Sequence, residues 1–158
     1  MTDAAATFAA VGFALFVAHS VGDHWVQSSC QAATKGLPGW AGRLACGRHV
    51  LGLTLTKLVV LVPVVLVLGL EVSVLGVVLG LGVDAASHYW ADRRTTLARL
   101  AKVCRKGEFY SLGTPAHPAR PVTAEGTYAP TLGTGAYALD QSWHMLWLLI
   151  AALLIAAV

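Results

Sequence analysis

Charge is scarce in this chain. Only 12% of its 158 residues are Asp, Glu, Lys or Arg, about half the share of an ordinary soluble domain. That excludes a disordered chain and a coiled coil, and argues against a water-soluble globule. Cysteine is sparse too. Cys30, Cys46 and Cys104 show no CxxC spacing, so free thiols are expected rather than a disulfide scaffold. The opening Met1-Thr2-Asp3 lacks the positive charge of a signal peptide, and no cleaved leader is expected. A formal net charge of +3 is too small to argue for nucleic acid as a partner.

What the chain has instead is apolar sequence. Hydrophobic residues make up 56% of it and mean hydropathy is +0.66. Its length suits one domain, or about four or five membrane spans. Four stretches reach the roughly 20 apolar residues that a span needs: about Ala4 to Val26, Leu44 to Leu70, Val72 to Ala91, and Ala138 to Val158. Pro63 should kink the second. Gly76 and Gly80 in the third form a small-xxx-small surface, which favours tight packing within the chain over dimerisation. The expected fold class is all-α: a single integral-membrane domain, residues 1–158, built as a four-span helical bundle running up-down-up-down.

The connections are unequal. Gly69-Leu70-Glu71 leaves almost no loop between spans two and three, so these form a tight antiparallel hairpin. Loop one, Ser28 to Arg43, is polar. Loop three, about residues 92–137, is the one large extramembrane piece. There is no useful internal repeat. Lys35, Arg43, Arg48, Arg93, Arg94, Arg99, Lys102, Arg105, Lys106 and Arg120 all lie on or beside these two loops. The opposite side offers Asp3 and Glu71 and no Lys or Arg. By the positive-inside rule loops one and three face the cytoplasm of a plasma or inner membrane, with both termini outside. Trp25, Trp40, Trp90 and Trp143 fall at the same level, as an interfacial belt would. A reducing cytoplasm also suits unpaired thiols.

Loop three begins as a basic amphipathic helix. Leu97, Leu100, Ala101 and Cys104 have helical spacing among basic residues, which predicts a helical extension of span three, either along the membrane surface touching anionic headgroups or solvated with no partner. From Ser111 to Gly135 the chain is rich in Pro, Gly and Thr and is expected to be irregular. His117 reads as a loop residue.

Ionisable groups inside spans are costly and point to function by default. Here they are patterned. His19 and Asp23 lie four apart in span one, with Gln27 four further on. His49 lies in span two. Asp84, His88 and Asp92 step by four in span three, and Asp140 and His144 in span four. Residues four apart share one helical face. Depth agrees as well. The exits of odd spans and the entries of even spans meet on one side, so His19, Asp23, His49, His88, Asp92, Asp140 and His144 should converge near the cytoplasmic face.

Four imidazoles and three carboxylates exceed what one four-coordinate ion needs. One or two divalent ions are expected, as in bundle-core dinuclear sites, with Zn, Fe, Mn or Ni suited to nitrogen and oxygen donors. A metal-free hydrogen-bonded network and a proton path are the competing readings. His24 points about 100° from Asp23 and reads as interfacial. Gln27 and Ser87 read as groups behind the ligands. Lys57 lies two turns below His49, and Asp84 one turn below His88, so these two should pair with one another.

The run His19-Ser20-Val21-Gly22-Asp23-His24-Trp25-Val26-Gln27, then Lys35, His49, His88-Tyr89-Trp90-Ala91-Asp92 and Asp140-Gln141-Ser142-Trp143-His144, resembles an uncharacterised family of small bacterial and phage integral-membrane proteins. Its members share an H-x-x-G-D-x-x-x-Q opening and a closing D-Q-x-x-H. Ala91-Asp92-Arg93-Arg94 and Leu132-Gly133-Thr134-Gly135-Ala136-Tyr137 look like its actinobacterial branch. The resemblance covers all four spans. In outline the chain is also similar to small membrane-bound metal-dependent hydrolases. The function expected is a metal-dependent hydrolase, with an Asp among Asp23, Asp92 and Asp140 serving as general base and a lipid or other anionic substrate. A metal or proton translocator, or a structural or phage-related protein whose site only staples helices, are the alternatives. A homo-oligomer is compatible with the sequence.

Overall fold

The computed structural model describes residues 4–113 and 134–158, and all regular structure among them is helical. Four helical stretches are long and apolar enough to cross a membrane: Ala4–Val26, Gly39–Leu68, Val74–Asp92 and Gly135–Ala157. This is the four-span bundle that the hydropathy pattern predicts.

The first span is α1 (Ala4–Val21) followed directly by a π-turn (Gly22–Val26). Its closing bond runs from Gln27 N–H to the Gly22 carbonyl, 2.9 Å away. Gly22 is where the widened turn meets the next span: a Cβ there would lie 2.2 Å from Leu53 Cδ1. Ser28 then starts α2 (Ser29–Thr34) with a capping box, its hydroxyl accepting from Gln31 N–H and the Gln31 amide oxygen accepting from Ser28 N–H. This helix lies in loop one, where only a polar connection is expected from composition.

Helix α3 (Gly39–Leu68) is 30 residues long, about 45 Å at 1.5 Å per residue. That exceeds the roughly 30 Å hydrocarbon layer, so its ends emerge. It begins five residues before the expected Leu44 and runs on through Pro63. It ends at Gly69, whose φ of 60° suits a left-handed cap, and Leu70 N–H returns to the Val65 carbonyl at 3.0 Å. Ser73 caps α4 (Val74–Asp92) by accepting from Gly76 N–H at 2.8 Å. The expected hairpin is therefore present. Thr134 caps α7 (Gly135–Ala157), accepting from Tyr137 N–H at 3.1 Å. These shifts of span bounds share one cause: hydropathy marks lipid-compatible sequence, whereas caps decide where helices start and stop.

The basic helix does not prolong α4. Arg94, at φ 57°, breaks the chain, and α5 (Thr95–Val103) begins after it. Leu97 and Ala101 are buried in the protein, while Cys104 is exposed. A short helix α6 (Gly107–Ser111) follows. Beyond it, His117, Arg120 and the Leu132-Gly133 part of the motif lie outside the described residues, as does Asp3.

The four spans form a closed ring in which α1 packs on α3, α3 on α4, α4 on α7 and α7 on α1. Away from the loops the ring is filled by Val11, Ala14, Leu15, Leu61, Leu81, Leu148, Ala151, Ala152 and Ile155. Lipid removes most of the hydrophobic drive between helices, so close backbone approach must hold them. Gly80 supplies it: a Cβ there would sit 2.7 Å from the Ala151 carbonyl oxygen. Gly76 likewise faces the Leu154 and Ile155 carbonyls. The glycine pair thus serves packing within the chain. Large apolar side chains such as Phe13, Leu55, Val59, Leu66 and Val78 point outward, as bilayer contact requires.

Candidate metal centre

Each span brings polar groups to the loop end of the ring. From α3, His49 is buried, and its Nε2 lies 3.0 Å from His88 Nε2 of α4. Asp92, one turn on from His88, places Oδ2 at 3.1 Å from His88 Nε2 and 3.2 Å from His49 Nε2. The π-turn brings in Asp23, whose Oδ1 is 3.1 Å from His49 Nε2 and 3.7 Å from His88 Nε2. His49 and His88 therefore stand 3.0 Å apart and each approaches Asp23 and Asp92 at 3.1–3.7 Å, with donor atoms drawn from three spans. Donors about 2.0–2.1 Å from a tetrahedral ion stand about 3.3–3.4 Å apart, so this spacing fits such an ion.

A second set adjoins the first. His19 Nε2 is 3.4 Å from Asp23 Oδ2, and His144 Nε2 is 3.5 Å from Asp140 Oδ1. The His144 ring stacks on His88 at 4.0 Å between centroids and lies 4.9 Å from that of His19. His19, His88 and His144 offer donors within 4.8 Å of one another, and so do Asp92, Asp140 and His144. All seven residues singled out from the sequence thus form one connected cluster. These His/Asp groups could hold a metal ion.

Hydrogen bonding alone leaves the cluster incomplete. Asp23 Oδ1 and Asp92 Oδ2 are buried and accept no aligned hydrogen bond despite the nearby imidazoles. His144 Nε2 and both ring nitrogens of His19 are buried without a partner. An unpartnered buried polar atom costs about 1–3 kcal/mol, and more when charged. Donors that crowd together yet miss each other's lone pairs are what a shared cation would satisfy.

One turn deeper, the Lys57 ammonium contacts Asp84, and both are buried. Their expected pairing is present, and it leaves Asp84 out of the cluster. Ser87 does not stand behind a ligand, because its hydroxyl donates to the Asp84 backbone carbonyl at 2.9 Å. Gln27 does border the site, with Nε2 buried and unpartnered. His24 is exposed and anchored elsewhere, its Nδ1 2.8 Å from the Ser20 carbonyl and its Nε2 3.3 Å from the Tyr137 hydroxyl.

Lys35 is the main residue whose role the sequence does not disclose. From the end of α2 it extends Nζ to 2.8 Å from Asp92 Oδ1, opposite the oxygen that faces His49 and His88. The segment carrying it is strapped to the α4–α5 break. Arg93 donates to the Lys35 and Leu37 carbonyls, each at 2.6 Å, and Arg94 donates to the Ala32 carbonyl at 2.9 Å. Gly42 makes room for the strap, since a Cβ there would lie 2.1 Å from the Leu37 carbonyl oxygen. In the sequence Lys35 stands out as the lone lysine of loop one and as one position of the resemblance, and neither names its partner.

The cluster opens into a cleft of about 450 Å³, bordered by Asp23, Gln27, Lys35, Arg94, Tyr137 and Asp140. Tyr110 also lines it, and burial pushes the Tyr110 phenol above its ordinary value, keeping it a proton donor. Comparison with protein-family models, characterised proteins and solved structures finds no match for this chain. Its own geometry therefore carries the functional argument.

Proposed function

We propose that this chain is a membrane-embedded, metal-dependent hydrolase whose site opens toward the cytoplasm. The observation that carries the reading is the set of buried carboxylate oxygens, Asp23 Oδ1 and Asp92 Oδ2, that face His49 and His88 within 3.1–3.7 Å without accepting a hydrogen bond. His49, His88, Asp23 and Asp92 are the inner ligand set in this reading, with His19, His144 and Asp140 available to a second ion or to a reacting water. A bound divalent ion would supply Lewis acidity and make water a nucleophile at neutral pH. The chain's own groups do the rest. Lys35 holds Asp92 by its outer oxygen, as a partner behind a ligand does. Asp140 suits the general base, because its side chain is 27% exposed whereas that of Asp92 is 4% exposed, and it borders the cleft.

An apolar plug of Leu15, Leu61, Leu148 and Ile155 lies between this centre and the opposite face. That supports chemistry at one surface over passage of an ion across the membrane. The basic loops support the cytoplasmic orientation. Elemental analysis of protein purified in mild detergent without chelator tests the reading. At least one equivalent of zinc, iron or manganese is expected, and it should be lost in His49→Ala and His88→Ala. A folded wild-type protein that neither carries nor takes up a divalent ion would end the proposal.

A further inference from the structure

The cleft above the cluster has a donor set of its own. Lys35 contributes an ammonium, Arg94 a guanidinium, Tyr110 and Tyr137 phenols, and Gln27 a buried amide nitrogen with no partner. These groups come from the π-turn, the strap, the α4–α5 break, α6 and the start of α7. They converge on a space of about 450 Å³, within the size of a small-ligand pocket and far below that of a folded partner.

The sign of this cleft depends on metal. The carboxylates Asp23, Asp92 and Asp140 outnumber the cations Lys35 and Arg94 along the cleft by one. One divalent ion reverses that balance and turns the space into an anion site. Its donors then outnumber what the two oxygens of a carboxylate can use. A terminal phosphate, with three non-bridging oxygens, matches them better.

The apolar side chains exposed at the loop end of the bundle indicate where that phosphate comes from. Leu37, Trp40, Val103, Phe109 and Leu112 are all exposed on the loop side. On a membrane-spanning bundle such side chains belong in the headgroup layer, with Trp40 as an interfacial anchor. The cleft thus lies at the depth of lipid phosphates.

We infer that the cleft binds the terminal phosphate of a membrane-anchored amphiphile, a lipid phosphomonoester, with Gln27 and Lys35 recognising the phosphoryl oxygens. The inference rests on the metal-centre reading and names the substrate of that same site. In the hydrolysis it implies, the water oxygen bonds to phosphorus as the P–O bond to the amphiphile's alcohol breaks. The water proton passes to Asp140 and on to the leaving oxygen. Inorganic phosphate and the alcohol are released, and nothing is oxidised or reduced.

The test measures inorganic phosphate binding to detergent-solubilised full-length protein by calorimetry, metal-loaded and metal-stripped, alongside metal content. Metal-loaded wild type should bind phosphate at least about tenfold more tightly than the stripped protein. Gln27→Glu, which replaces the amide donor with a like charge, should keep its metal and lose at least about tenfold in phosphate affinity. Arg99→Ala, outside the cleft, should match wild type. Nanodiscs containing phosphatidic acid should compete with phosphate, and phosphatidylglycerol nanodiscs should not. Loaded protein that ignores phosphate, or a Gln27→Glu variant that binds it as wild type does, overturns the inference while leaving the metal centre standing. Competition by a soluble phosphomonoester alone overturns the lipid source. Absence of metal from folded wild type overturns both readings, and the metal assay shows that directly.

Discussion

Lys57 sits in the middle of α3 with its ammonium fully enclosed, and the Asp84 carboxylate is its partner. Removing one member leaves a buried charge alone. Lys57→Met or Asp84→Leu singly should therefore cost about 3–5 kcal/mol, while the double change should cost much less. Thermal unfolding in detergent checks this, and a double variant worse than both singles would refute the pairing as the source of the cost. At the metal cluster the expectation differs. His88→Ala should lose metal and stability together, whereas His24→Ala should change neither by much, because His24 is exposed and its bonds among the described residues go to Ser20 and Tyr137. On the proposed hydrolase reading, Asp140→Asn should keep the ion and abolish release of phosphate from a phosphomonoester. The cluster was legible because His19/Asp23, His88/Asp92 and Asp140/His144 repeat the four-residue step that aligns side chains on one helical face. Lys35 was not, because its reach to Asp92 depends on a strap held by carbonyl oxygens, which leave no mark in side-chain pattern.

The elements show a similar divide. Gly76 and Gly80 advertised a close helix contact, and α7 makes it. A side chain at Gly80 would drive into the Ala151 carbonyl and Ile155. Gly80→Val should therefore destabilise the bundle by about 1–3 kcal/mol, as overpacking does, read as a lower unfolding temperature. Gly82 should tolerate Ala, because an added Cβ there would meet nothing within 4 Å. The π-turn was invisible in the sequence. Hydropathy cannot tell a five-residue ring from a four-residue one, yet the wider ring changes the direction in which Asp23 and Gln27 leave the helix. The α4–α5 break was hidden too, since the helical spacing of Leu97, Leu100, Ala101 and Cys104 lies wholly beyond the joint and is the same whether or not α5 continues α4. There Arg94 holds a positive φ, while its guanidinium grips the Ala32 carbonyl.

For the molecule as a whole, the two exposed thiols offer a test of sidedness that needs no engineered reporter. Cys30 lies in α2 and Cys104 just past α5, both exposed, while Cys46 is buried. A membrane-impermeant maleimide should label Cys30 and Cys104 in inside-out vesicles and not in intact cells. Labelling in intact cells would reverse the orientation. Stability should also follow metal: imidazole must be deprotonated to bind, so acidification should release the ion and lower the unfolding temperature together. The four-span ring was legible because few charges and long apolar runs leave the chain hardly any other way to satisfy its backbone. Its order in the chain has a further consequence, in time. Asp23, His49, His88 and Asp92 are all made before residues 93–134, whose synthesis takes on the order of 2–8 s at ribosomal speed. Through those seconds the inner donors exist without Asp140 or His144. An ion that loads then is selected by what the cytosol supplies during translation, before the last helix can add its own preference. Cells grown in different metals should therefore yield protein with different occupants, even where equilibrium affinities measured on the finished bundle favour one.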